Sequence, residues 1–263
     1  MRFKNIMPEP RSYSTEAVVI KKTKLGEADS ILTFFTPSLG KIQGFARSLR
    51  KPKSKMAGHL ELLTHSQVSF ARGRNLDTIT GGQTIDSFLP LKSDLWLTSC
   101  GLYVAELVNQ FAAEHQENLP LFQLMLDTLQ RLCGEDNKDL VLRYFEMRLL
   151  DAAGYRPQLR QCVACHRLLE PVVNSFSPSA GGMLCPDCAP SVPFARPVPV
   201  NTLKVLRLLQ GSDFATAGRV KIDAELNRQL EGLIGDYLKH LLEKEVKSAV
   251  WLETLREQYR PSL

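Results

Sequence analysis

The sequence predicts an α+β multidomain chain: an N-terminal β-barrel, then an α-helical domain interrupted by a four-cysteine insertion. Three observations carry this. Between Tyr13 and Phe88, short β-rich and aromatic segments alternate with turn signals. After Pro90, apolar residues recur at helical spacing. From Arg160 to Pro199 that periodicity stops, and Cys, Gly and Pro punctuate the chain before it resumes.

In chain order, Ala17 to Ile20 is β-rich and Ile31 to Phe35 is apolar and aromatic. Lys41 to Ala46 follows the turn pair Leu39-Gly40, Val68 alternates with Phe70, and Thr78 to Thr80 precedes Gly81-Gly82, read as a further turn. Short strands joined by basic loops suit a small barrel, and the OB-fold is the commonest such barrel with a nucleic-acid role. Asp94 is placed to cap a helix reaching about Ala113, and Asn118 with Pro120 opens a second. A third follows Asn137, carries Val141, Tyr144, Phe145 and Leu149, and stops at Gly154. Beyond the insertion, Asn201 is read as the cap of Thr202 to Leu209, and Asp223 as the cap of a long segment through Leu241. The expected domains are 1–88 (OB-fold barrel), 91–158 (helical, first part), 159–199 (cysteine insertion) and 200–263 (helical, second part).

Composition bounds the function classes. Of 263 residues, 44% are hydrophobic and 23% charged, which describes a globular protein. No apolar run approaches the roughly 20 residues of a membrane span, so no membrane partner is expected. Met1 to Pro10 has no apolar signal core, and the expected location is cytoplasmic. The net charge of +5 is unevenly spread. From Lys41 to Arg74 eight basic residues face one acid, Glu61, so the positive field is local.

Six cysteines are present. Cys100 and Cys133 stand alone in apolar helical sequence and read as buried thiols. Cys162-x-x-Cys165 and Cys185-x-x-Cys188 form the spacing of a metal site, because two intervening residues let one turn present both sulfurs to one ion. Four thiolates saturate tetrahedral Zn2+ and leave no open position, which makes the expected ion structural. Haem attachment at Cys162-Val-Ala-Cys165-His166, a redox pair and chance pairing are the alternatives, and each leaves part of the pattern unexplained. A zinc deaminase would use H-x-E with P-C-x-x-C. His59-Leu60-Glu61 fits the first half, but Leu184 precedes Cys185, and Cys162 and Cys165 would be stranded.

The run Arg47 to Lys55 is too charged for a core strand, and Pro52 interrupts any helix, so an exposed loop is expected. Arg47, Arg50, Lys51, Lys53 and Lys55, with Arg72 and Arg74 flanking Gly73, are the candidate phosphate contacts; Lys21, Lys22 and Lys24 would extend them. Phe45 has two readings, barrel core by its alternation with Gly44 and Ala46, or a platform for base stacking. No P-loop, G-x-G-x-x-G or paired acid–base constellation is visible, so no enzymatic activity is expected.

Several short pieces in order resemble the recombination mediator RecO family. They are Gly26-Glu27-Ala28-Asp29, Gly40-Lys41-Ile42, Arg50-Lys51-Pro52-Lys53-Ser54, Leu142-Arg143-Tyr144-Phe145-Glu146, Gly154-Tyr155, Phe176-Ser177-Pro178, Gly181-Gly182, the four cysteines and Lys247-Ser248. The resemblance implies an OB-fold, a helical domain and a zinc knuckle. It implies a non-catalytic protein of recombinational repair that binds single- and double-stranded DNA, anneals strands, joins RecR and meets single-stranded DNA-binding protein. It also carries over Cys162, Cys165, Cys185 and Cys188 as ligands and the Arg47 to Lys55 run with Arg72 and Arg74 as DNA surface. His166 departs from the small residue expected after the first cysteine pair and reads as exposed and non-ligating. The acidic C-terminal tail of single-stranded DNA-binding protein would suit a groove between amphipathic helices with a basic rim. A different class of function is an interaction scaffold whose helical domain recruits partners while the barrel tethers it. Arg143→Ala set against charge reversal at Arg50 and Lys51 would separate the two.

Overall fold

A computed structural model describes residues 11–258. Within them the chain forms two units. One runs to Leu89 and takes in Ala112–Phe122; the other comprises Pro90–Phe111 and the chain from Gln123 onward. Residues 112–122, which the sequence assigns to the helical region, thus group with the barrel.

The first unit is a closed five-stranded barrel of β1 (Ser12–Leu25), β2 (Asp29–Thr36), β3 (Gly40–Ala46), β4 (His65–Ala71) and β5 (Asp77–Asp86), in the order β1-β2-β3-β5-β4. β1 is long enough to serve two neighbours. Its first half pairs with β4, from Ser12↔Ala71 to Val18↔His65, and its second half pairs with β2, ending at Leu25↔Asp29. The sequence shows only its apolar centre, because the polar run Lys21 to Lys24 hides a strand that faces solvent. Closure comes from one short parallel contact, Gly44↔Asp77 and Phe45↔Thr78.

Residues two apart share a face of a strand, and the inward set fills the barrel. Ala17 and Val19, Leu32 and Phe34, Ile42 and Ala46, and Val68 and Phe70 are all buried there with Leu49, Leu60 and Ile79. Phe34 meets Phe70 edge-on at 5.5 Å. Each buried Val, Leu, Ile or Phe among them contributes about 1.5–3 kcal/mol by leaving water.

Two readings of the barrel are corrected. Gly81-Gly82 is not a turn but lies inside β5, next to a bulge where Ser69 pairs with Gly81 and Phe70 with Ile79. The pair sits in a strand because a Cβ at Gly82 would come 3.3 Å from Leu60, which packs in the core. Phe45 does not belong to the core. Gly44 takes the inward position, where a Cβ would meet Ile79 and Phe70 at 2.8 Å, so the alternation turns Phe45 outward and leaves it half-buried.

Residues 112–122 run beside β3. The Lys41 amide donates to the Ala113 carbonyl (3.4 Å), and the His115 amide donates to the Lys41 carbonyl (3.1 Å). Phe122 packs against Phe35 and His65 at 5.9 and 5.8 Å. Gly40 is required twice here: its φ is +61°, and a Cβ would lie 2.0 Å from the Gln116 carbonyl oxygen.

The second unit is helical. After the short α1 (Leu89–Lys92) come α2 (Leu95–Phe111), α3 (Leu119–Gly134), α4 (Lys138–Ala152), α5 (Val200–Gly211), α6 (Phe214–Ala217), α7 (Ala224–Leu242) and α8 (Lys247–Gln258). α1 and α3 each lie partly in both units. Four of the caps read from sequence are present: Asp94 accepts from the Leu97 amide, Asn118 from Leu121, Asn137 from Leu140 and Asp223 from Leu226, at 2.8–3.1 Å. Asn201 is the exception. α5 begins two residues earlier, at Val200, and its first bond runs from the Leu203 amide to the Pro199 carbonyl (3.0 Å). Proline already holds the extended geometry of a cap, so Asn201 falls inside the first turn and points to solvent.

α4 is buried almost throughout. It carries a charged pair into the core, Arg143 Nη2 to Glu146 Oε1 at 2.6 Å, and the Tyr103 phenol donates to the same carboxylate (2.7 Å). Lys247-Ser248 has a structural explanation too. Glu106 of α2 accepts from both backbone amides and the Ser248 hydroxyl, so it caps α8 from outside. Cys100 is buried, as expected, whereas Cys133 is only half-buried. No helix among the described residues is long and apolar enough to cross a membrane.

Between α4 and α5 lies a small antiparallel sheet of β6 (Asn174–Ser177), β7 (Gly182–Leu184) and β8 (Arg196–Val198), in the order β7-β6-β8. Phe176 packs edge-on against Tyr237 of α7 at 5.5 Å, and Arg207 of α5 donates to the Leu159 carbonyl (2.8 Å).

Candidate metal centre and nucleic-acid interface

The cysteines sit on two turns. The His166 amide donates to the Cys162 carbonyl (2.9 Å), and the Cys188 amide to the Cys185 carbonyl (3.1 Å), so each C-x-x-C pair closes a loop. The Val163 amide bonds the Met183 carbonyl (2.9 Å) and holds the two loops together. All four sulfurs fall within 4.8 Å of one another, and Cys165 Sγ lies 3.8 Å from Cys185 Sγ. Four sulfurs about 2.3 Å from one tetrahedral ion would lie about 3.8 Å apart, so the donor set fits a single metal ion. None of the four forms a disulfide.

The shifts within the cluster run in opposite directions. The Arg167 side chain, donating to the sulfur at 3.5 Å, holds the Cys165 thiol down to about 6. Hydrogen bonding to Cys185 and then Cys165 pushes Cys188 up to about 12. Close-set thiols cannot all ionise unaided, and a cation relieves that repulsion. Arg167 is in turn held by Asp187 at 2.8 Å, which aims its guanidinium at the sulfurs. His166 is exposed and stands apart from the four sulfurs. Its φ of +60° explains why a small residue is expected there, and histidine tolerates that region better than most side chains.

The basic run leaves the barrel after β3 as a series of turns, anchored where Leu49 enters the core. Its backbone is stitched to the β1–β2 hairpin: the Ser48 amide donates to Asp29 Oδ1 (2.6 Å), and the Arg50 amide to the Ala28 carbonyl (2.9 Å). The Arg50 guanidinium donates to the Gly26 carbonyl. Gly26-Glu27-Ala28-Asp29 is therefore the docking edge for the basic loop. Arg50 is half-buried, while Arg47, Lys51, Lys53 and Lys55 are exposed.

Arg72 and Arg74 are exposed in the β4–β5 loop. Asp77 shapes that loop by accepting from the Tyr13 phenol (2.8 Å) and the Gly73 amide (3.0 Å). Tyr13 stacks on Phe70 at 5.0 Å, and the Arg72 guanidinium lies over the Tyr13 ring at 5.1 Å. Sequence reasoning missed Tyr13 and Asp77, which stand 64 positions apart and meet only through barrel closure. The Gly44↔Asp77 and Phe45↔Thr78 pairs seat the start of β5 beside the end of β3. The two basic loops thus flank the outer edge of β3, where Phe45 is turned outward with the half-buried Ile31 opposite it on β2. Lys21 and Lys24 are exposed on β1.

Arg143 does not offer a surface for testing partner recruitment. It is only 2% exposed, and its loss would disturb the core of the helical unit.

A five-stranded OB-like barrel with cationic loops, followed by a helical unit bearing a four-cysteine cluster, defines a two-part class of protein. The chain matches the family model for the N-terminal part of recombination protein O over residues 10–88 and that for its C-terminal part over residues 92–249. It is 47% identical over 250 residues to DNA repair protein RecO of Dehalococcoides mccartyi (strain CBDB1), covering 95% of this chain and 98% of the relative. It is 41% identical to that of Roseiflexus sp. (strain RS-1), covering 96% and 89%, and 31% identical to that of Halalkalibacterium halodurans, covering 92% and 95%. The chain belongs to the recombination protein O (RecO) family.

Proposed function

We propose that the chain is a DNA-binding, strand-annealing mediator of recombinational repair of the RecF type, acting without bond chemistry of its own. The observation that supports this most is the pair of cationic loops on either side of an outward aromatic on β3. OB barrels bind nucleic acid on the strand 2–3 face between the β1–β2 and β4–β5 loops, and here those loops adjoin Lys51, Lys53, Lys55, Arg72 and Arg74. Arg47 belongs to the same surface, whereas Arg50 acts by bracing it. Phe45 is the base-stacking platform. Two strands repel along their backbones, and a fixed cationic surface holds both while pairing finds register.

In this proposal Cys162, Cys165, Cys185 and Cys188 bind a structural Zn2+ that braces residues 159–199. The partners are single- and double-stranded DNA, RecR and the acidic tail of single-stranded DNA-binding protein, and the setting is the cytoplasm at the nucleoid. The test is annealing of complementary oligonucleotides across a salt series with wild type and Lys51→Glu/Lys53→Glu/Lys55→Glu. Each lost phosphate contact on single strands should lower the slope of log affinity against log salt by about 0.7. If the triple variant anneals with an unchanged slope, these lysines do not contact the strands and the proposed surface is overturned; if the slope falls while annealing persists, the barrel is only a tether and the scaffold reading stands instead.

A further inference from the structure

Glycine is the poorest helix former after proline, yet α7 carries Gly232 and Gly235 on an exposed side. The chain itself does not require them there, since a Cβ at either position meets no atom within 4 Å. Both line a groove of about 550 Å³ between α7 and α8. The groove exists because α8 packs on α2 while α7 packs on α4 and α5, so the two helices have different supports. Tyr103 and Leu238 contribute to its lining, with Val246, Ala249 and Val250 on the α8 side. Val246, just before α8, falls with Ala249 and Val250 at the i, i+3, i+4 spacing of a single helix face, the arrangement that receives a third helix.

The charge around the groove has a sign. Its cations are each satisfied by carboxylates: Arg228 by Glu225, Lys239 by Glu245, and Arg256 by Asp139 and Glu231. Asp236 is taken by Arg196. Glu253 and Glu257 also line the groove, are exposed, and have no cationic partner among the described residues. The charge left over is negative, in a chain that is positive as a whole.

We infer that the groove between α7 and α8 receives a basic amphipathic helix of a partner protein. Gly232 and Gly235 allow its backbone to come close, the apolar lining takes its apolar face, and Glu253 and Glu257 pair with flanking Lys or Arg. DNA and an acidic tail are repelled by the same rim. A second copy of the chain meeting the groove through its own groove would set acid against acid. The inference is independent of where DNA binds.

The experiment uses the full chain and a fluorescein-labelled peptide of Lys, Ala and Leu at helical spacing, followed by anisotropy. The same peptide with Glu in place of Lys, labelled in the same way, serves as the control in a separate titration. Wild type should bind the basic peptide saturably and more tightly than the acidic one. Gly235→Leu, which fills the groove from a position with open space around it, should weaken binding of the basic peptide roughly ten-fold, and Glu253→Lys should weaken it by a similar factor. The proposal is overturned by absent or non-saturable binding, by unchanged affinity in Glu253→Lys or in a folded Gly235→Leu, or by an acidic peptide whose binding Gly235→Leu weakens equally.

Discussion

Arg143 and Glu146 show how one residue pair constrains the helical unit. Removing one member of a buried ion pair leaves the other uncompensated, at a cost of roughly 3–5 kcal/mol. Arg143→Ala is expected to lose about that much, read by urea unfolding. Burial pushes the Glu146 carboxyl up to about 7, against the pull of Arg143. A carboxyl raised in the folded state adds stability below its unfolded value of 4.5, and that stability is lost as pH rises through about 7. Glu146→Gln should therefore flatten the stability profile between those limits, as seen in unfolding at a series of pH values. On the barrel, Asp77→Ala leaves the Tyr13 phenol and the Gly73 amide without their acceptor. The expected loss is about 1–3 kcal/mol in thermal unfolding, with weaker oligonucleotide binding as the β4–β5 loop loosens.

Among elements, the cysteine insertion is the one whose stability the proposed metal would change most. Its strands, three or four residues each, are too short to stand alone. Metal binding of roughly 10–16 kcal/mol in such modules is folding free energy. Chelation, or Cys185→Ser, should unfold residues 159–199 first, visible as lost amide protection there before the barrel changes. Thiolates bind metal only when deprotonated, so the ion should be released as pH falls, and metal analysis after dialysis at stepped pH checks this. Helix ends were largely legible at this scale because capping is local: Asp94, Asn118, Asn137 and Asp223 each act within three residues of themselves. Asn201 misled because the preceding proline had already set the start of α5. The second half of β1 was hidden because its solvent-facing residues carry no apolar signal.

Across the whole molecule, the barrel is not finished where its last strand ends. Residues 112–122 bond to Lys41 and lay Phe122 on Phe35. A fragment of residues 1–88 would expose Phe35 and the edge of β3, both liabilities for aggregation. It is expected to be poorly folded, and a fused 112–122 segment should restore dispersed amide resonances and solubility.

What the sequence determined by itself was what depends on near neighbours: the cysteine spacing that brings four sulfurs together, the helix caps, the switch from period two to helical period, and the density of charge between Lys41 and Arg74. The tertiary structure decided what depends on distant ones. It turned Phe45 outward because Gly44 had to make room for Ile79 and Phe70, and it brought the Arg50 guanidinium to the Gly26 carbonyl. It also joined Tyr13 to Asp77. Those choices follow from excluded volume and from which polar groups closure of the barrel brings into bonding distance, and neither is written in any local stretch of the chain.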